Sequence, residues 1–116
     1  MTADIRFYRD QEQQPRIQTS PDHIPLADYL ASDLQEAETS GEILKRLKTK
    51  NYGGEKEING NSYTVILEPE LITLENMFDE EMSPYQIPVE NFVKTISSWI
   101  DFLENPGILS LVQNIR

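Results

Sequence analysis

Apolar and polar positions alternate at the start of the chain. Asp4-Ile5-Arg6-Phe7-Tyr8-Arg9 is rich in aromatic and β-branched residues and reads as a strand. The run Glu12-Gln13-Gln14-Pro15 breaks it, and Arg16-Ile17-Gln18-Thr19 can pair back as a short second strand. Ser20-Pro21-Asp22 is turn chemistry, because proline fixes φ and aspartate bonds nearby backbone. The period then changes to that of a helix. Ile24-Pro25 opens it, with proline in the tolerated first turn, Asp22 as the candidate cap, and Leu26, Tyr29, Leu30 and Leu34 as its apolar stripe. Thr39-Ser40-Gly41 interrupts, residues 42–48 form a second amphipathic piece with bases toward its C-terminal end, and Tyr52-Gly53-Gly54 ends it.

Asn59-Gly60 is the clearest local signal, since it accepts the positive φ angles of a type I′ hairpin turn. Tyr63-Thr64-Val65-Ile66-Leu67 follows as a nearly all-apolar strand, expected to be central and covered on both faces. Glu68-Pro69-Glu70 breaks it, and Leu71-Ile72-Thr73-Leu74-Glu75 is the next strand. Residues 77–86 read as a loop. A second Ile-Pro pair, Ile87-Pro88, starts the longest helix, whose stripe is Val89, Phe92, Val93, Ile96, Ile100 and Leu103 with Trp99 on its flank. Asn105-Pro106-Gly107 stops it and leaves a short packed tail, helical at best. The elements predict one α+β domain over residues 1–116: a small, mostly antiparallel sheet with two to three helices packed on one face.

Charge narrows what such a domain does. Twenty acids against ten bases give a net charge of −10. Binding to a phosphate backbone or an anionic membrane needs the opposite sign, so neither nucleic acid nor membrane is an expected partner. No apolar run approaches the length of a membrane span and the first residues do not read as a signal peptide, so the cytoplasm is the expected compartment. With no cysteine, disulfides and thiolate chemistry are out of reach.

Catalytic machinery is sparse. His23 is the one histidine; it can serve Ser20 or Ser32 as a base, but its turn-like setting suits a surface or capping role better. No nucleophile elbow, zinc-binding helix or phosphate loop occurs. Asp79-Glu80-Glu81 can offer oxygens to a hard cation, yet lacks the alternating spacing of a calcium loop. The expectation is a protein that is not an enzyme and carries neither cofactor nor metal.

The charge is unevenly distributed. Residues 57–116 hold ten acids and two bases, and within them residues 68–81 hold six acids and no base. Those acids are Glu68, Glu70, Glu75, Asp79, Glu80 and Glu81, interleaved with Met77 and Phe78 and followed by Met82 and Tyr85. Carboxylates steer a basic partner and a few apolar anchors hold it, so these acids with Phe78 and Tyr85 are the candidate partner-binding residues. Packing of Met77, Phe78 and Met82 beneath the loop, with the acids as a solvated rim, is the competing arrangement. Asp28, Asp33, Glu36 and Glu38 read as a solvated helix face, and Lys45, Arg46, Lys48 and Lys50 as a helix flank paired with nearby acids.

Two resemblances bear on function. The hairpin-strand-break-strand run over residues 59–75, the acidic loop and the helix Pro-Val-Glu-Asn-Phe-Val-Lys-Thr-Ile-Ser-Ser-Trp resemble small CdiI-type immunity proteins of contact-dependent growth inhibition systems. That resemblance, one of style over about half the chain, implies a cytoplasmic monomer that binds a cognate basic toxin domain one to one. The toxin would be a nuclease acting on RNA, blocked electrostatically and sterically. The segments Ile5-Arg6-Phe7-Tyr8-Arg9-Asp10, Gly60-Asn61-Ser62-Tyr63-Thr64, Asp79-Glu80-Glu81-Met82 and Val89-Glu90-Asn91-Phe92-Val93 are also similar to YacL-like small acidic proteins, a resemblance that implies a housekeeping protein of unknown role. A mimic of DNA directed at a nucleic-acid enzyme is the third reading of the acidic half.

Overall fold

The computed structural model describes residues 3–49, 57–79, 81 and 83–115. Among these residues, seven strands and three α-helices follow in the order β1 (Ala3–Arg9), β2 (Pro15–Thr19), α1 (Ile24–Ser32), α2 (Ala37–Thr49), β3 (Glu57–Asn59), β4 (Tyr63–Leu67), β5 (Leu71–Asn76), β6 (Tyr85–Pro88), α3 (Val89–Glu104) and β7 (Ser110–Ile115), with a 3₁₀ turn at Pro21–His23. The α+β class and the antiparallel pairing are as the pattern predicts. The strands divide between two sheets, β2-β1-β7 and β3-β4-β5-β6.

The division comes from the tail. Residues 110–115 form a strand rather than a helix, pairing antiparallel with β1 from Ala3↔Ile115 to Tyr8↔Ser110. That places β1 at the centre of its sheet, with Ile5 and Phe7 fully buried and Arg6 on the exposed face. In the second sheet β4 is central to β3 and β5. Tyr63, Val65 and Leu67 point into the core, while Thr64 and Ile66 on the other face are half-buried, so the strand is not covered on both sides as its composition suggests.

Helices α1 and α3 serve both sheets. Sixteen residues give α3 a length of roughly 24 Å, enough to carry two aromatic clusters. Near its start Phe92 stacks on Tyr29, which meets Tyr63 of β4 edge-on. Further along, Trp99 meets Phe7 of β1 at 5.0 Å between ring centroids and stacks on Phe102. Arg9 closes this end: it donates to Phe102 O at 2.6 Å and lies over the Phe102 ring, satisfying a carbonyl that the helix terminus leaves unpaired.

Three local expectations change. Asp22 does not cap α1; His23 occupies the cap position and no side chain bonds there. Helix α2 begins at Ala37, running through Ser40 and Gly41, because the Ser40 hydroxyl is satisfied by Glu36 O at 2.9 Å and Leu34 O at 3.3 Å. Gly41 has no atom within contact distance of a prospective Cβ. Gly41→Ala is therefore expected to stabilise the fold by about 0.5–1 kcal/mol in urea unfolding; a destabilised variant would mean that this helix packs more tightly than described. Third, the β3–β4 hairpin turns at Asn61-Ser62, with Gly60 N–H donating to Tyr63 O. Among the described residues only Gln13 combines a side chain with positive φ, so Asn59-Gly60 is not the centre of a type I′ turn. The expected end of the second helix at Tyr52-Gly53-Gly54 falls outside the described residues.

Candidate functional site: an acid-rimmed apolar loop

The segment after β5 is held by its own side chains. Asn76 Oδ1 accepts the N–H groups of Phe78 at 2.8 Å and Asp79 at 3.0 Å, and Asp79 Oδ1 accepts Glu81 N–H at 3.1 Å. Met77 N–H donates to Ser62 O of the neighbouring hairpin. Short polar side chains bonded to nearby backbone fix the turn without a core contact. The consequence is that Phe78 stands out of the surface, 79 % exposed, beside Met77 at 45 %. Neither tucks beneath the loop. Glu75, Asp79 and Glu81 are exposed around them. Glu80 and Met82 lie outside the described residues.

The remaining candidates are not part of this cluster. Glu68 and Glu70 sit in the turn joining β4 to β5, at the opposite end of the sheet and roughly 17 Å away by strand rise. Tyr85 is buried at 8 % exposure, with its hydroxyl 2.6 Å from His23 Nδ1, so it does not present its ring to a partner. Burial pushes its phenol far above the usual range. The 62 residues separating it from His23 hide this pairing in the sequence; His23, expected at the surface or as a cap, is half-buried at the cap position of α1.

The loop rests on a support that the sequence did not reveal. Asp33, just beyond α1, accepts Ser62 N–H at 2.9 Å and Tyr63 N–H at 3.0 Å, one on each carboxylate oxygen. Tyr63 N–H is the donor that a four-residue turn would return to Gly60 O, so a carboxylate from a distant helix completes the turn instead. Gly60 lies so close to Asp33 that a Cβ there would collide with the carboxylate. Asp28 accepts the Tyr63 hydroxyl at 2.9 Å. Asp33, half-buried, is thus a structural acceptor rather than part of a solvated face; Asp28 accepts this one hydrogen bond but is exposed as expected, as are Glu36 and Glu38. One signal was available: an acid at the C-terminal end of a helix opposes the helix dipole and needs another reason to be there.

Burial, followed by the Asp28 hydrogen bond, raises the Tyr63 phenol to about 12, and burial raises Tyr29 further. A folded-state value above the unfolded one favours the protonated phenol. That stabilisation is complete below the unfolded value near 10 and is lost as pH rises toward 12. Thermal melts are expected to hold steady to about pH 9 and to fall through that window, in step with tyrosinate absorbance. A fall beginning well below it would point to a different group.

Elsewhere the chemistry is limited. Ser20 Oγ is buried without a hydrogen-bond partner, but no described cavity opens on Ser20, His23 or Tyr85. Among the described residues no three of His, Asp or Glu are grouped to hold a metal ion, and no helix is long and apolar enough to cross a membrane. Lys45 and Lys48 are exposed near the end of α2, Arg46 is half-buried and partnered, and Lys50 lies outside the described residues. No protein-family model, curated protein or solved structure matches the chain, so the geometry of this loop carries the functional reading.

Proposed function

We propose that this protein is a stoichiometric inhibitor of the immunity type, which binds a basic toxin domain through the loop after β5. The observation that carries the reading is Phe78, held out at 79 % exposure among carboxylates by hydrogen bonds within the loop. An aromatic ring in water gains about 1.5–3 kcal/mol when an apolar pocket receives it. A loop already fixed by Asn76 and Asp79 loses little conformational freedom on docking. Glu75, Asp79 and Glu81 then face lysines and arginines that a ribonuclease uses to hold phosphates. Phe78 enters the adjoining surface, and the partner's substrate is excluded by volume and by charge. Glu68 and Glu70 contribute only to the long-range field, which draws a basic domain toward a −10 chain.

The test is co-expression with the C-terminal domain encoded by the reading frame immediately upstream in the source chromosome. A toxic domain whose growth arrest this protein relieves, together with one-to-one binding in calorimetry, supports the proposal. A domain that is neither toxic nor bound removes it. In that case a growth defect on deletion in pure culture would favour the housekeeping role, and competition with duplex DNA for several unrelated basic proteins would favour mimicry.

A further inference from the structure

Among the described residues the two sheets end in four edge strands, β2, β3, β6 and β7. An edge presents unpaired N–H and C=O groups and is ordinarily blunted by charge, proline or shortness. β2 carries Pro15 and Arg16, β3 has three residues beginning at Glu57, and β6 has four and ends on Pro88. β7 has no such protection. Its six residues, Ser-Leu-Val-Gln-Asn-Ile, include neither a charge nor a proline. The strand lies within residues 105–115, the longest stretch of the sequence without a charged side chain. Leu109 just before it and Val112 on it are 64 % and 56 % exposed.

The ladder with β1 shows which backbone groups are free. Arg9 N–H donates to Leu109 O, so Arg9 and Leu109 are a hydrogen-bonded pair of the antiparallel ladder. Such pairs alternate, and the register gives Phe7↔Leu111 and Ile5↔Gln113 the same role. Ser110, Val112 and Asn114 therefore turn their N–H and C=O groups away from β1. No described strand lies on that side.

We infer that β7 pairs antiparallel with β7 of a second copy of this chain, Val112 opposite Val112 on a two-fold axis. In that register Ser110 exchanges two hydrogen bonds with Asn114 of the second copy, and Val112 exchanges two with Val112. The same strand meets itself, so the contact uses up both unprotected edges and closes at two copies. Charge selects this occupant. Copies of net charge −10 repel and approach closely only through uncharged surface, which β7 supplies. The nearest charged positions in the sheet, Asp4 and Arg6, stand one strand back on β1. Three strand spacings then separate Arg6 from its counterpart, roughly 14 Å, a distance that physiological salt screens. A basic segment finds no carboxylate on β7 and is drawn to the acids elsewhere. The inference is independent of the loop after β5, which belongs to the other sheet, and the monomer implied by the immunity resemblance is the dilute form.

A single strand pair buries less surface than a standard interface, so the expected Kd is about 10–100 µM. Sedimentation equilibrium of the full chain from about 5 to about 500 µM measures it. The mass is expected to rise from 13.4 kDa toward twice that value with concentration. Added salt should strengthen the dimer, because the copies repel, whereas it weakens capture of a basic domain by the loop; failure of one proposal is thus distinguishable from failure of the other. The Ser110, Val112 and Asn114 amide signals of the labelled chain are expected to move with concentration. Val112→Pro removes an outward N–H and none of the β1 ladder, and Val112→Lys sets two ammonium groups opposite each other. Each is expected to weaken self-association at least about tenfold. Should the proline variant fail to fold, the lysine variant, at an exposed position, carries the test. A chain that stays monomeric at about 500 µM, a mass beyond two copies, an association unchanged in both variants, or signals that move only on other surfaces would each overturn the inference.

Discussion

Replacing Trp99 by alanine is expected to remove about 3–5 kcal/mol of stability, a large share of the roughly 5–15 kcal/mol available to a domain of this size. Three observations set that figure. The side chain is 2 % exposed, its ring touches Phe7 and Phe102, and its Nε1–H donates to Leu34 O at 2.7 Å. The hydrogen bond ties α3 to the segment between α1 and α2, so its loss loosens three helices together. Trp99→Phe keeps most of the volume and is expected to cost about 1–2 kcal/mol, because Ser40 Oγ still reaches the same carbonyl. Trp99 is also the only tryptophan, so unfolding must be followed by far-UV circular dichroism. A loss below about 1 kcal/mol for the alanine variant would contradict the two-cluster core.

The second large effect belongs to binding. Phe78→Ala is expected to weaken the complex by about 2 kcal/mol or more, some thirtyfold in Kd, chiefly through faster dissociation. Its own stability should stay within about 0.5 kcal/mol of wild type, because the ring is 79 % exposed. Glu75→Lys with Glu81→Lys should act in the other limb, lowering the association rate about tenfold at low salt. Both acids are exposed on the rim, and neither appears in a described ion pair. Equal affinities across all three proteins would assign the interface to another surface.

Much of the fold was legible because its signals are local. Proline marks the starts of α1 and α3 and the break at Pro69, and the 3.6-residue stripe of α3 gives its buried face. Long-range pairing was not legible. β7 pairs with β1 across almost the whole chain, and nothing within residues 110–115 announces a partner beyond 100 positions away. For the same reason one sheet was expected where there are two. Helix α2 hid its start because serine and glycine usually oppose helices, and only the carbonyls of Leu34 and Glu36 make Ser40 acceptable there.

The candidate site was half legible. Composition showed acids and apolar anchors together in residues 68–81 but left the posture of Phe78 open. Asn76 decides it by drawing the next two amides into a turn that leaves the ring outside. Tyr85 reads like a second anchor from its place after the loop; its position on β6, facing inward against His23, buries it. Asp33 offered only its unfavourable place at the end of α1 as a signal; its partners, 29 and 30 residues downstream, were not legible.

The most direct test of the acidic loop as a steering and docking surface is the association rate constant with the upstream-encoded toxin domain, measured by stopped flow at about 50 mM and about 300 mM salt. The account predicts a fall of about tenfold between the two salts, with the dissociation rate nearly constant and the salt dependence flattened in the Glu75→Lys, Glu81→Lys variant. An association rate indifferent to salt, or one equally salt-dependent in that variant, would contradict it.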